Sequence, residues 1–169
     1  MAIDIRVRLA IREDVPNIRA IYNDAIINTT AVYSYEPVTL EYQLRWFETK
    51  QQQNFPVFVA EGATGVVGFS SYGSFRAWPA YLHTVENSVY VNSQHRGQGI
   101  GKLLIPPLIE AAISQKMHAI VAGIDAANIA SIRLHSHFGF LQVAHFKEVG
   151  FKFDRWLDLV FMELLLDDE

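Results

Sequence analysis

Gln94-His95-Arg96-Gly97-Gln98-Gly99-Ile100-Gly101-Lys102 is the stretch of this sequence that points most directly at chemistry. Three glycines at alternate positions let successive backbone N–H groups turn toward one point, and a helix opening there adds partial positive charge. Such a turn holds an anion, a pyrophosphate for example, with few side chains. The same spacing also suits a tight strand-to-helix turn that binds nothing. A nucleoside-triphosphate loop ends in Gly-Lys-Ser or Gly-Lys-Thr, whereas here Leu103 and Leu104 follow Gly101-Lys102 and offer no hydroxyl to a magnesium ion. A dinucleotide loop is spaced Gly-x-Gly-x-x-Gly, and Lys102 stands where its third glycine would be.

Arg76 is a second candidate. It lies in a stretch, 73–83, that mixes glycine, proline, arginine and aromatics without periodicity, and so reads as a loop of the kind that carries binding groups. Its guanidinium suits a carboxylate or phosphinate through paired hydrogen bonds; the plainer reading is an exposed loop arginine. His135 and His137 are two apart and on a helix would face different ways. With no further ligands in view and no cysteine, no metal site is expected. The lack of cysteine also excludes disulfides and a thiolate nucleophile.

These residues need a frame. Ile5, Val7 and Leu9 alternate with Arg6 and Arg8 in the period of a half-buried strand. Asp14 before Pro16, then Ile18, Ile21, Tyr22, Ala25 and Ile26, marks a capped amphipathic helix. A second helix starts at Thr39, with Leu40, Leu44 and Phe47 on one face, and runs out in a solvated glutamine run before Pro56. Runs 57–60 and 66–72 form a hairpin, 84–91 is a strand, and the glycine turn opens an apolar helix to about Met117. Pro106 and Pro107 fall inside that helix and predict a kink or a late start. A buried strand over 118–124, a short helix over 131–138 ended by Gly139, and strands over 141–146 and 156–166 complete the chain. This order predicts a mixed α/β domain, with helices covering both faces of a largely antiparallel sheet.

At 169 residues, half of them hydrophobic and 19% charged, residues 1–169 form a single packed domain in this reading. A formal net charge of −4 without a basic run argues against nucleic acid or an anionic membrane as partner. The stretch from Met1 to Arg6 lacks the apolar core of a signal peptide, and no apolar run is long enough to span a membrane, so the expected location is cytoplasmic.

Gln94-x-x-Gly97-x-Gly99, preceded by Ser88-Val89-Tyr90-Val91, resembles the acetyl-CoA signature of the GCN5-related N-acetyltransferases (GNAT). Asn128-Ile129-Ala130-Ser131, Leu134-His135 and Gly139-Phe140 are similar to that signature's second half. Segments 21–25, 28–31, 84–91 and 150–158 look like the branch that acetylates phosphinothricin, methionine sulfoximine and methionine sulfone, so the resemblance covers nearly the whole chain.

The resemblance implies a GNAT-like fold, acetyl-CoA as co-substrate, a small amino-acid-like amine as acceptor, and a homodimer. It implies Val89, Tyr90 and Val91 along the pantetheine arm, Gly97, Gln98, Gly99, Ile100, Gly101 and Lys102 around the pyrophosphate, and Asn128 near the arm. Glu86 matches the catalytic carboxylate, and Arg76, Ala77, Trp78, Glu86, Asn87 and Ser88 match substrate segments; Ala77-Trp78 departs from the family pattern. Only a neutral amine attacks a thioester, so Glu86 would accept a proton, its affinity for one raised by partial burial. Backbone N–H groups at Tyr90 or Val91 would hold the oxyanion. His135 stands where many of these enzymes keep a tyrosine that protonates the leaving thiolate, and a hydrogen bond to a neighbour is its other reading. Trp156 and Phe161 suggest a subunit surface. The competing functions are acetylation of a polyamine or a protein N-terminus, and a non-catalytic acetyl-CoA-binding module in which Glu86 is structural.

Overall fold

The computed structural model describes residues 4–166. Met1 to Ile3, part of the segment read for a signal peptide, and residues 167–169 of the single-domain span lie outside the described residues. The elements run β1 (Arg6–Leu9), α1 (Val15–Asn28), α2 (Leu40–Gln52), β2 (Val57–Gly62), β3 (Gly65–Ser74), β4 (Thr84–Val91), α3 (Ile100–Ser114), β5 (Ala119–Asp125), α4 (Ile129–His137), β6 (Leu141–Lys152) and β7 (Arg155–Leu165). All seven strands join one sheet in the order β1-β2-β3-β4-β5-β7-β6, and every pairing is antiparallel except β4 with β5.

The two faces follow from strand alternation. Val57 and Val59 of β2 and Phe69 of β3 turn to one side, where Val15, Ile18 and Ile21 of α1 and Phe47 of α2 cover them. Ala60 turns to the other, against Ile100 and Leu104 of α3, and Val67 joins it because the register shift after Ala60 interrupts the alternation in β3. Further along the sheet, Leu108 and Ala112 of α3 pack with Val85, Ile120, Ala122, Val160 and Met162. The expected α/β architecture with helices on both faces is therefore the one observed.

Local details differ from the sequence expectations. Helix α3 starts at Ile100, on the glycine turn, with Pro106 and Pro107 inside it, so the late start is not found. The N–H bonds lost at the two prolines free the carbonyls of Lys102 and Leu103, residues on the half-exposed and exposed side of the helix. Strand β6 continues to Lys152 through register shifts at Gln142/Ala144 and Phe146/Gly150, which break the alternation that would have revealed it. Leu9 and Leu40, assigned to buried faces, are 60% and 38% exposed at the ends of their elements. Among the described residues, no helix is long and apolar enough to cross a membrane.

Asp14 does not cap α1 with its side chain. Its carboxylate accepts two hydrogen bonds from Arg8, at 2.7 and 3.0 Å, and one from the Ile11 N–H at 2.8 Å, while Arg8 also donates to Glu61. This joins β1, β2 and the entry to α1. Burial alone would raise the Asp14 carboxyl, but the Arg8 and Ile11 hydrogen bonds outweigh it and hold the group below its ordinary 3.8. Because the folded-state value is depressed, the stabilisation is present above the unfolded value and is lost as pH falls through the folded one. Arg8→Met should cost about 1–3 kcal/mol at neutral pH by stranding a buried carboxylate. In urea titrations the gap to wild type should narrow on acidification; a gap independent of pH would show that Asp14 is not its source.

Candidate active site

Strand β4 is hydrogen-bonded to β3 from Val85 through Val91, but it pairs with β5 only at Thr84, Val85 and Glu86. Beyond Glu86, β5 follows β7 instead, so the two parallel strands part and leave a V-shaped opening at their carboxyl ends. Such a gap in a sheet gives a ligand direct access to strand backbone. A cleft of about 1040 Å³ fills it, with Val89, Tyr90 and Val91 on one wall and Ala127, Asn128 and Ser131 on the other.

The glycine turn forms the mouth of this cleft. Gly97 and Gly99 have φ of 75° and 80°, a region that costs a side-chain-bearing residue, and Gly99 is the N-cap of α3. Gly101 is needed for packing: a Cβ there would stand 2.9 Å from Leu134 Cδ2, so its absence lets α3 approach α4. Arg96, Lys102, Arg133 and Arg155 line the cleft, a basic lining in a chain of formal net charge −4. Backbone donors, a helix N-terminus and these cations suit a ligand carrying several phosphates. Gln98 is not in the lining; its side chain lies beside His95.

A second cavity, about 280 Å³, meets the first along Ala31, Val89, Tyr90, Asn128 and Ser131. Glu86, Asn87 and Ser88 line it, opposite Val32, Tyr33 and Phe161. Gly123 of β5 makes room for the Glu86 carboxylate, since a Cβ there would lie 3.0 Å from Glu86 Oε1. Burial raises the Glu86 carboxyl above its ordinary 4.5, and the Arg76 charge pulls it partly back. A half-buried carboxylate lining a cavity beside the cleft is placed to take a proton from a bound group.

Across the same cavity, His135 is 4% exposed and both of its ring nitrogens are engaged. Nδ1 lies 2.8 Å from the Ser131 carbonyl, which can only accept, so Nδ1 carries the proton. Nε2 then accepts from Asn87 Nδ2 at 3.0 Å. Burial lowers the His135 pKa, against the Ser131 hydrogen bond that raises it, and the ring is neutral at pH 7. Asn87 Oδ1 is left buried without a partner.

The structure thus brings together Val89, Tyr90, Val91, Gly97, Gly99, Ile100, Gly101, Lys102 and Asn128 on one cleft and Glu86, Asn87, Ser88 and His135 on the adjoining cavity. Arg76 is exposed, with its guanidinium 5.0 Å from the Phe75 ring; it lines neither cavity but acts on Glu86 by charge. Ala77 and Trp78 are exposed and line neither, Trp78 at 74%. Sequence reasoning missed the loop 29–33 and Gly123. A glycine inside an apolar strand is a signal for close approach of another group, and it was available at Gly123.

A model of the acetyltransferase (GNAT) domain matches residues 7–161. The chain belongs to the GNAT acetyltransferase family. It is 48% identical over 155 residues to an L-methionine sulfoximine/L-methionine sulfone acetyltransferase of Pseudomonas aeruginosa, covering 91% of this chain and 90% of that one. An L-amino acid N-acyltransferase of Escherichia coli is 41% identical, with 96% of this chain and 94% of the other covered. A GNAT superfamily phosphinothricin acetyltransferase from Sinorhizobium meliloti, solved in complex with acetyl-CoA, superposes with a TM-score of 0.93 at 33% identity, covering 98% of this chain and 89% of that one. In this GNAT domain the V between β4 and β5 is the feature on which the signature residues converge.

Gly123→Ala should push the Glu86 carboxylate toward the open cavity, where water lowers its pKa toward 4.5. Carboxyl-carbon NMR titration of the two proteins checks this. Identical Glu86 titration curves would show that the close approach to Gly123 does not set its environment.

Proposed function

We propose that the protein moves an acetyl group from acetyl-CoA to the α-amine of a small amino-acid-like compound, of the methionine sulfone, methionine sulfoximine or phosphinothricin type. The observation that carries this reading is the half-buried Glu86 carboxylate in a small cavity that adjoins a phosphate-suited cleft. The names of the relatives support the substrate class.

The residues fit acetyl-CoA. Backbone N–H groups over 97–102, which include Gln98 and Ile100, would hold the pyrophosphate with Lys102, and Val89, Tyr90, Val91 and Asn128 would border the pantetheine arm. An acceptor ammonium in the second cavity would give one proton to Glu86 and form the C–N bond at the thioester carbonyl. Collapse of the adduct would break the C–S bond, and the CoA thiolate would leave through the large cleft with the second proton of the nitrogen. Strand N–H groups at Tyr90 or Val91 would receive the oxyanion. His135 orients the Asn87 amide here, in place of the acid role expected for it, since it is neutral and neither ring nitrogen is free. Asn87 Oδ1 is left buried as an unpaired hydrogen-bond acceptor. Arg76 would draw in and hold the substrate's acidic group, while Ala77 and Trp78 border its approach. We further propose a single domain over residues 1–169, a cytoplasmic location, and a homodimer. The homodimer is supported by the exposed apolar residues Val143, Phe146, Val149, Phe151 and Trp156 of the β6–β7 hairpin.

Thiol release from acetyl-CoA, measured across methionine sulfone, methionine sulfoximine, phosphinothricin, spermidine and a short peptide, tests the reading. Turnover of the first three alone is expected; turnover confined to spermidine or the peptide overturns it. Glu86→Gln should lower kcat by about 100-fold or more and leave acetyl-CoA affinity in calorimetry nearly unchanged. Equal kcat would remove Glu86 from the reaction.

The base works deprotonated, so kcat should rise with pH along a limb above the ordinary carboxylate range. Arg76→Ala removes the charge that lowers the Glu86 pKa, so the limb should move to higher pH while the KM for methionine sulfone rises. A stationary limb would show that the two groups do not interact.

A further inference from the structure

Lys152, the last residue of β6, lies outside both cavities, and its side chain is nonetheless buried, at 5% exposure. No carboxylate is within ion-pair distance of it among the described residues. Its ammonium instead donates to three carbonyls: Ile26 at 2.5 Å, Thr29 at 2.8 Å and Val32 at 2.8 Å. An ammonium has three N–H bonds, and all are used. Ile26 is in the last turn of α1, where a carbonyl has no helical partner and the helix end carries partial negative charge. A cation there is compensated by dipoles in place of an anion.

The three acceptors outline the turn by which the chain leaves α1, and the residues between them wall the site. Thr29, Thr30 and Ala31 face the large cleft, and Ala31, Val32 and Tyr33 face the smaller cavity. The loop has other ties, from Thr30 Oγ1 to the Asp125 carboxylate and from Tyr33 Oη to the Asp158 carbonyl at 3.1 Å. Those use side chains of the loop itself. Among the described side chains from outside the loop, that of Lys152 bonds its backbone at both Thr29 and Val32.

We propose that Lys152 is a positioning residue of the transfer reaction: through the carbonyls of Ile26, Thr29 and Val32 it fixes the loop 29–33 that forms a shared wall of the two cavities. Its part in the reaction rests on the function proposed above; its hold on the loop does not. Burial lowers the proton affinity of Lys152, and only its charged form has three N–H bonds for the three carbonyls.

The test uses Lys152→Met, which removes the donors, and Lys152→Gln, which keeps two of them; both side chains are one atom shorter than that of lysine. Exchange of the Thr29 and Ala31 amides, followed by NMR without substrate, reads the loop directly. Their N–H groups are bonded to the Ala25 carbonyl and Thr29 Oγ1 in the closed path. Faster exchange at these two amides, in Met more than in Gln, with amides of β3 unchanged, is expected. Unchanged exchange overturns the proposal, whether or not the protein turns over any amine. Should the Met variant not fold, the Gln variant is read alone against wild type by the same criterion.

In steady state, with methionine sulfone, the KM should rise about tenfold or more while kcat changes less. A variant that is only less well folded lowers apparent kcat and leaves KM alone, and that pattern overturns the positioning role. Lack of turnover by wild type counts against the proposed function, and the exchange measurement still decides the loop.

Discussion

Everything in the site depends on how briefly β4 and β5 are paired. A parallel ladder that ended only at Val91 would bury the backbone of Val89 to Val91 against β5 and leave no cleft. The ladder stops at Glu86, and each strand has its needs met elsewhere, β4 by β3 and β5 by β7. The gap is therefore a stable feature of the sheet. The apolar contacts of Val85, Ile120, Ala122 and Val160 hold the apex closed. At the open end, the glycine turn and the close approach of α3 to α4 at Gly101 close the mouth around an anion.

Placing polar groups at the apex of such a V is costly, and the structure meets that cost in different ways. Glu86 gains room from Gly123 and stays partly desolvated, which raises its affinity for a proton. His135 is satisfied at both nitrogens and stays neutral. Lys152 and Arg8 hold charges at the edges of the site and of the sheet, one with carbonyls, the other with two carboxylates. Among the described residues, Gln43 Oε1, Tyr72 Oη and Asn87 Oδ1 are buried without a partner, and Asn87 lines the cavity beside Glu86. Gln43 and Tyr72 line a third cavity, of about 100 Å³, that Glu86 also borders.

Most elements were legible because one physical signal dominated each. Alternation over 84–91 and the apolar run of β5 gave strands, and the Thr39 cap, with its Oγ1 accepting from the Tyr42 N–H, gave the start of α2. Where two signals competed, reading failed. In β6 the register shifts obscured the period, and in α3 the prolines suggested a late start, whereas the helix begins at Ile100 and buries Leu104, Ile105 and Leu108. The Asp14 side chain has the right type for a cap, but Arg8 of the neighbouring edge strand β1 takes it.

The sequence by itself determined the family and the glycine turn at the head of α3, because these rest on residue types at short spacing. It could not show that Arg76, Ala77 and Trp78 remain on an exposed loop, or that His135 is engaged at both nitrogens. Only the tertiary structure decided that the loop 29–33 walls both cavities under the grip of Lys152, more than a hundred residues further on. Hydrogen bonds and burial between segments so far apart depend on where the sheet brings their backbones, and nothing in local periodicity carries that information.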